Sequence, residues 1–231
     1  MVATATKNDY WEGTTLRTIK LASLLLCLIC TSLLSAQGHE ALKFAGKRLA
    51  KRYHIAQIVS HTLVRGKIEV DKSGHGFQDV AEDFSQAVSI VTKAGVMRDH
   101  EGKFHGKKLV NRYALAITLS NLLKKFGHEC NQEAKSSFKD VKQSHWARAA
   151  VEQVAKLGIL QGYDGKFHGR RLLNRYQMAV VFAKIADLLN LEKTEPTIEF
   201  TDIPNKHWSY EAVQALCRVG LIKTTDKVTA R

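Results

Sequence analysis

Apolar residues recur at helical spacing in several stretches of the chain. Over 145–157 they include Trp146, Ala150 and Val154, and the pattern stops at Gly158. Residues spaced i, i+3 and i+4 share one face of a helix, and a glycine commonly follows a helix end. The pattern therefore predicts an amphipathic helix that ends at Gly158.

A second pattern predicts helices of another type, with a broad apolar face and a polar start. Over 174–190, Met178 and Phe182 belong to that face, while Asn174 and Gln177 stand at its beginning. Asparagine at an N-cap with glutamine three residues later forms a capping box. Asn111 caps an equivalent helix without such a partner.

Both patterns repeat along the chain. GKFHGKKLVNRYALA (102–116) recurs as GKFHGRRLLNRYQMA (165–179) and, more faintly, as KFAGKRLAKRYHIA (43–56). Phe-x-Asp starts at 77, 138 and 200 open the other half of each copy, and both signals recur about every 60 residues. The predicted helices are 81–94, 145–157 and 207–219 for the first type, and 51–64, 111–126 and 174–190 for the second.

The chain begins with a second-type helix and ends with a first-type one. Three complete units exist only if the opening and closing halves pair, which favours a closed all-α array of three helix-loop-helix units. The predicted divisions are a signal peptide at 1–37, the second half of one repeat at 38–76, repeats at 77–137 and 138–199, and the first half of a repeat at 200–231, which pairs with 38–76.

The uncharged run Leu21–Leu34, preceded by Arg17 and Lys20, is typical of a secretory signal peptide. It is shorter than the roughly 20 residues that a spanning helix needs, so we expect cleavage near Ala36 and no transmembrane span afterwards. This prediction indicates a secreted protein of the cell envelope.

The chain is strongly basic, with a formal net charge of +13. Residues 1–37 hold three cations and two acids, a net +1, so +12 of the +13 remains after cleavage. Such a charge favours polyanionic partners. Export excludes nucleic acid and leaves anionic glycans, wall polymers or lipids.

No pattern in the sequence favours catalysis, a metal or a cofactor. The 10 histidines lack the spacing of metal ligands, and GYDGKF lacks the alternating oxygen ligands of a calcium loop. The recurring residues are spread over three repeats, whereas an enzyme would gather its catalytic residues in one place. Cys130 and Cys217 could form one disulfide in an oxidising compartment or stay as two buried thiols.

FKDVKQSHWARAAVEQVAKLGILQGYDGKF followed by LLNRYQMA (138–179) closely resembles the S-layer homology family, in the variant with F-x-G before L-x-x-R-Y found in diderm bacteria. The resemblance implies three modules around a central bundle of the second-type helices. It also implies that the grooves between modules bind a cell-wall polysaccharide, a secondary cell wall polymer or another peptidoglycan-linked polymer.

The resemblance assigns groove positions to a set of repeated residues. They are Arg52, Arg112, Arg175, Asp79, Asp140, Asp202, Trp146, Trp208, Gly95, Gly158 and Gly220. In the first copy, a shorter segment puts Asp83 opposite Trp146, with Phe84 one place later. The motif glutamate is replaced by His54, Ala114 and Gln177, and the motif threonine by Lys51, Asn111 and Asn174.

Each copy also carries a basic doublet next to its arginine. The doublets are Lys47–Arg48, Lys107–Lys108 and Arg170–Arg171. A cation in the first turn opposes the helix dipole, so the repeated arginines indicate an anion site or a clamp on the helix end. The aspartates could equally cap a turn, and the tryptophans are predicted to be core, with a wall of the groove as the alternative.

These observations predict a non-catalytic anchoring protein whose basic grooves grip an anionic wall polymer with the avidity of several sites. The alternative is a periplasmic structural module with degenerate grooves that binds an envelope protein.

Overall fold

The computed structural model describes residues 42–131, 133 and 135–223. The predicted signal peptide and the last eight residues lie outside this range. The described residues form six α-helices with no β-strand beyond isolated bridges, which confirms the all-α fold class. The helices are α1 Arg52–Arg65, α2 Ser85–Lys93, α3 Arg112–Lys124, α4 Arg148–Lys156, α5 Arg175–Leu188 and α6 Tyr210–Arg218.

The second-type helices α1, α3 and α5 each begin at the motif arginine. The side chain of Asn111 accepts the N–H of Ala114 at 2.9 Å. Asn174 accepts from the N–H of Gln177, whose side chain accepts from the N–H of Asn174 at 3.1 Å. The capping box predicted for α5 is therefore present.

At the start of α1, a histidine takes the place of that glutamine. Nδ1 of His54 accepts the N–H of Lys51 at 3.1 Å, so the reach-back half of a capping box is kept. Burial, together with the charges of Arg175 and Lys51, lowers the pKa of His54 to about 3. His54 is therefore neutral, as an acceptor must be.

The first-type helices α2, α4 and α6 are shorter than predicted, at 9 residues each. Turns occupy the positions before them: the N–H of Arg148 bonds to the carbonyl of His145, and residues Glu82–Phe84 form a 3₁₀ turn. Each of these helices packs against the second-type helix before it, α2 on α1, α4 on α3 and α6 on α5.

Each second-type helix is preceded by a loop that runs from a phenylalanine to the motif Arg-Tyr pair. We call these loops, with the helix starts, the first junction (44–53), the second junction (104–113) and the third junction (167–176). Three isolated backbone bridges link them pairwise: Lys51 to Leu109, Asn111 to Leu172 and Leu49 to Asn174.

The backbone bonds between junctions run in a cycle. Arg52 donates its N–H to Lys108 at 2.9 Å, Arg112 to Arg171 at 3.0 Å, and Arg175 to Arg48 at 3.0 Å. The following tyrosines donate in the same way to the carbonyls of Gly106, Gly169 and Gly46. Helix-start N–H groups have no partner within their own helix, so each junction satisfies the helix start of another.

The aspartates of the Phe-x-Asp starts hold the same loops from the other side. Asp79 accepts the N–H groups of Phe104 and His105, and Asp140 accepts those of Phe167 and His168. Asp202 accepts those of Phe44 and Ala45, both at 2.7 Å. This last contact joins the segment near the end of the described chain to the segment at its beginning.

Close packing explains a glycine in each junction. The ring of Tyr113 covers Gly169 so closely that an added Cβ would lie 2.1 Å from a ring atom, and Gly106 and Gly46 face Tyr53 and Tyr176 in the same way. Such a distance is far inside van der Waals contact, so any side chain there would displace the tyrosine.

Further observations concern cysteines and membranes. Cys130 and Cys217 are not joined by a disulfide, so two thiols are present where the sequence left both options open. No helix among the described residues has both the length and the apolar character needed to cross a membrane.

We expect Asp202→Asn to destabilise the protein by about 1–3 kcal/mol, because the amide places a donor against one of two backbone N–H groups and leaves it unpaired. Urea unfolding measures this, with the exposed Asp187→Asn as the matched control. Equal stabilities of the two variants would contradict the closing role of Asp202.

We expect His54→Gln to make folding less sensitive to acid. The pKa of His54 is lowered in the folded state, so its contribution is present above the unfolded pKa of about 6.5 and is lost as pH falls towards 3. From about pH 7.5 to about pH 5 the wild type should lose about 1 kcal/mol through this residue, after allowance for partial exposure. The glutamine of the variant should keep the capping bond, as Gln177 does, without that loss.

Thermal unfolding at both pH values measures the difference, with His128→Gln as the control. An unchanged pH dependence in His54→Gln would show that the histidine is not buried in its neutral form.

Candidate functional site

Two grooves with corresponding linings lie beside the second and third junctions. Groove A, of about 340 Å³, includes Arg52, Met97, His100, Lys108, Leu109 and Ala114. Groove B, of about 240 Å³, includes the counterparts in the same order, Arg112, Leu160, Tyr163, Arg171, Leu172 and Gln177. At the first junction, the counterpart of Met97 and Leu160 is Ile222, two residues after Gly220, and the counterpart of His100 and Tyr163 lies outside the described residues.

The motif arginines of both grooves are fixed by the loop they face. Nε of Arg52 donates to the carbonyl of Phe104 at 2.9 Å, and its Nη2 donates to Arg98 at 2.8 Å. Its guanidinium lies 4.7 Å from the centroid of the Phe104 ring, a cation–π distance. Burial lowers the pKa of Arg52, against the opposing charge of Asp79.

Arg112 repeats this arrangement in groove B. Its Nε donates to Phe167 at 2.9 Å and its Nη2 to Gln161 at 2.6 Å, and it lies 4.6 Å from the Phe167 ring centroid. Both arginines therefore clamp a helix start, and each keeps N–H groups of its five-donor fork for another acceptor.

Arg175 differs from these two arginines. It lies 4.9 Å from the Phe44 ring centroid but is only 1% exposed. Its Nε and Nη2 have no hydrogen-bond partner among the described residues. Burial lowers its pKa to about 10, with Asp202 raising and Arg48 lowering it. The guanidinium is thus closed to solvent, unlike the groove position predicted for it.

The three aspartates hold backbone rather than face the grooves. Burial alone raises the pKa of Asp140, but the N–H bonds from Phe167, His168 and its own backbone, with the charge of His168, together bring the pKa below its usual value. The same causes act on Asp79. The aspartates therefore have the structural role that the sequence allowed as an alternative, but they bond to the loop across the repeat and not to the turn before the first-type helix.

The prediction that the tryptophans are core residues is wrong. Trp146 is 70% exposed and Trp208 is 62% exposed. Both lie in the turn before a helix, so they are not part of the apolar helix face that the sequence pattern suggested. Trp146 lies at groove A, which is the alternative position that the sequence allowed.

The preceding histidines take the inward position instead. His145 packs on Tyr113 with ring centroids 4.4 Å apart, and His207 packs on Tyr176 at 4.3 Å. In the first copy, Phe84 stacks on Tyr53 at 4.3 Å. Phe84 therefore corresponds to the histidines, and that copy has no counterpart of the exposed indole.

The three glycines after the first-type helices serve the backbone. Gly95, Gly158 and Gly220 have φ values of +69°, +70° and +68°, a region that favours glycine at a helix end. Gly158 follows the end of α4, as predicted. A Cβ on Gly95 would meet no atom within 4 Å, so conformation rather than space requires this residue.

The basic doublets are exposed, and their second members line the grooves. Lys108 belongs to groove A and Arg171 to groove B, whereas Arg170 borders a separate cavity and Lys107 borders neither groove. Within residues 42–131, 133 and 135–223, no carboxylate forms an ion pair with these four side chains. Their charge is therefore available to an anion.

Sequence reasoning missed one aromatic position. Tyr163, 50% exposed, lines groove B, where its hydroxyl accepts from Nη1 of Arg171 at 3.0 Å. His100 is its counterpart in groove A. The signal was an aromatic ring at the same place in two copies, in a segment interpreted only as a turn.

No cluster of three histidine, cysteine, aspartate or glutamate side chains suited to a metal ion occurs among the described residues.

Comparisons with known proteins bear on the repeats directly. The sequence profile of the S-layer homology domain matches residues 137–179 and 199–229. The chain is 27% identical over 154 residues to a cellulosome-anchoring protein of Acetivibrio thermocellus, covering 65% of this chain and 34% of that protein. It is 41% identical over 69 residues to the outer membrane protein SlpA of Thermus thermophilus, covering 28% and 8%.

An S-layer protein, EA1 of Bacillus anthracis, is 32% identical over 95 residues, covering 41% of this chain and 11% of that protein. The chain thus spans about a third or less of the length of these relatives. The matched profile, the helical repeats and these relatives agree that residues 137–179 and 199–229 are S-layer homology domain segments.

Proposed function

We propose that the chain is a non-catalytic anchoring module of the cell envelope that grips an anionic cell-wall polymer in the grooves between its repeats. The observation that carries this proposal is the matched lining of grooves A and B. Each combines a clamped arginine, an unpaired cation of the basic doublet and an exposed ring in one cavity.

The arginine and the doublet have separate tasks in this proposal. Arg52 and Arg112 are held in place by backbone carbonyls, so an acceptor finds their remaining donors already positioned. Lys108 and Arg171 are exposed and have no carboxylate partner in the described part of the chain. Positioned and solvent-exposed cations together favour a carboxylate or phosphate group.

The aromatic side chains suit a saccharide. Trp146 at groove A and Tyr163 at groove B offer flat apolar surface with a polar edge, as rings at binding surfaces commonly do. A charged glycan would place its anionic group on the cations and its ring on the aromatic.

Repetition strengthens the proposed binding. Two grooves on one body can engage the same polymer, so the second contact benefits from a high effective concentration. The names of the relatives, an anchoring protein, an outer membrane protein and an S-layer protein, agree with a cell-envelope location. The predicted signal peptide would deliver the chain there.

One observation favours a second candidate, a module that binds an envelope protein. Arg175 is closed to solvent and the first copy has no exposed indole, so the positions around the first junction depart from the groove pattern. Exposed Trp208 would then be an anchor for a protein partner, since tryptophan is enriched at such interfaces.

We expect Lys108→Ala combined with Arg171→Ala to weaken retention on purified cell-wall sacculi by about tenfold or more, because each variant removes a charge-assisted contact. Lys124→Ala with Lys125→Ala is the matched control, since it removes the same charge from exposed positions outside the grooves. Co-sedimentation at several salt concentrations measures retention.

Equal losses in the two double variants would show that binding depends on net charge alone. Unchanged retention in the groove variant would show that grooves A and B do not bind the polymer. Isolation of a stoichiometric protein partner would support the second candidate.

A further inference from the structure

A larger cavity lies outside grooves A and B, on the other side of the third junction's basic doublet. It encloses about 560 Å³ and is lined by Tyr113, Asp140, Lys142, His145, His168 and Arg170, with Gly169 and Arg171. Only Arg171 is shared with a groove. We call it the Asp140 cavity.

The charge of this cavity is unbalanced. Lys142, Arg170 and Arg171 supply three permanent cations, and Asp140 supplies one carboxylate. Both oxygens of that carboxylate already accept backbone N–H groups, at 2.7 and 2.8 Å. In the described part of the chain, none of the three cations has an ion-pair partner.

Two imidazoles add further hydrogen-bonding capacity. His145 packs on Tyr113, and His168 stacks on Tyr163 with ring centroids 3.9 Å apart. Nε2 of His168 is buried and has no hydrogen-bond partner among the described residues. A buried nitrogen without a partner is uncommon in folded proteins.

This combination belongs to one repeat only. Around Asp202, the counterparts of Lys142 and His168 are Pro204 and Ala45. Around Asp79, the counterparts of Lys142 and His145 are Ala81 and Phe84. The repeated fold is kept in all three places although these counterparts differ, so Lys142 and His168 are not needed to build it.

We propose that the Asp140 cavity binds the phosphate group of a phosphorylated sugar. A phosphomonoester carries close to two negative charges at neutral pH and three acceptor oxygens, which matches a net excess of two cations. A carboxylate would leave more of that charge unneutralised. The volume exceeds a phosphate and lies within the range of small-molecule sites, so a sugar ring has room beside the phosphate.

This site shares only Arg171 with the wall-polymer grooves, and its proposal does not rest on the proposed anchoring function. Titration of the ¹⁵N-labelled protein with glucose 6-phosphate, followed by amide chemical shifts, tests it. We expect saturable shifts at 168–171 and none at the corresponding residues 45–48 and 105–108. Glucose and glucuronate at equal ionic strength serve as the uncharged and carboxylate probes.

We expect Lys142→Ala with His168→Ala to weaken glucose 6-phosphate binding by about tenfold or more, through loss of charged hydrogen bonds. Both alanines copy counterpart residues, and Ala45 adopts φ +53° where His168 has +55°, so the fold is retained. Lys125→Ala is the control and should bind as the wild type does.

The proposal is overturned if the shifts occur equally in all three loops, if glucuronate binds as tightly, or if the double variant binds normally. Sacculus retention of the single variant Lys142→Ala separates the two proposals, because Lys142 lines neither groove, whereas His168 stacks on Tyr163 of groove B. Lost glucose 6-phosphate binding with unchanged retention supports the Asp140 cavity independently.

Discussion

The structure depends on how the first N–H groups of three helices find acceptors. These groups have no partner inside their own helix, and here each pair bonds to carbonyls of another junction: Arg52 and Tyr53 to the second, Arg112 and Tyr113 to the third, Arg175 and Tyr176 to the first. No helix start is complete alone. The requirement that every buried backbone donor be satisfied thus links the copies in a cycle, and the bonds of Asp202 to Phe44 and Ala45 secure the step between the end and the beginning of the described chain.

The positions of the grooves follow from the same contacts between junctions. Because a helix begins with arginine where it meets the neighbouring loop, the guanidinium lies over that loop's phenylalanine and bonds to its carbonyl. The doublet is followed by an exposed leucine and then by a buried residue of the same loop, and its second member lines the groove. A cation at a helix start is unfavourable for the helix dipole, but the carbonyls and the aromatic face compensate Arg52 and Arg112. The arrangement that holds the repeats together therefore also concentrates positive charge between them.

Local chemistry made much of this predictable. The helical spacing, Asn111 and Asn174 as caps, and Gly158 as a helix end depend on residues a few positions apart, so the sequence contains the whole signal. The partners of Asp140 and Asp202 depend on distant segments, and only the repeat hinted at them. The prediction for Trp146 was wrong because the apolar spacing of the helix extends in the sequence into the preceding turn. The hydrogen bonds of that turn make the helix begin later, at Arg148. No nearby residue indicates the burial of Arg175, since the sequence around it nearly repeats the sequence around Arg112.

The central claim is that the third junction is held by the first as firmly as the others are held by their neighbours. Native-state hydrogen exchange measures this directly at the amides of Arg175 and Tyr176, which bond to Arg48 and Gly46. The account predicts that they exchange as slowly as the amides of Arg112 and Tyr113, through opening of the whole fold. Exchange at Arg175 and Tyr176 much faster than at Arg112 and Tyr113 would show that the cycle is open in solution.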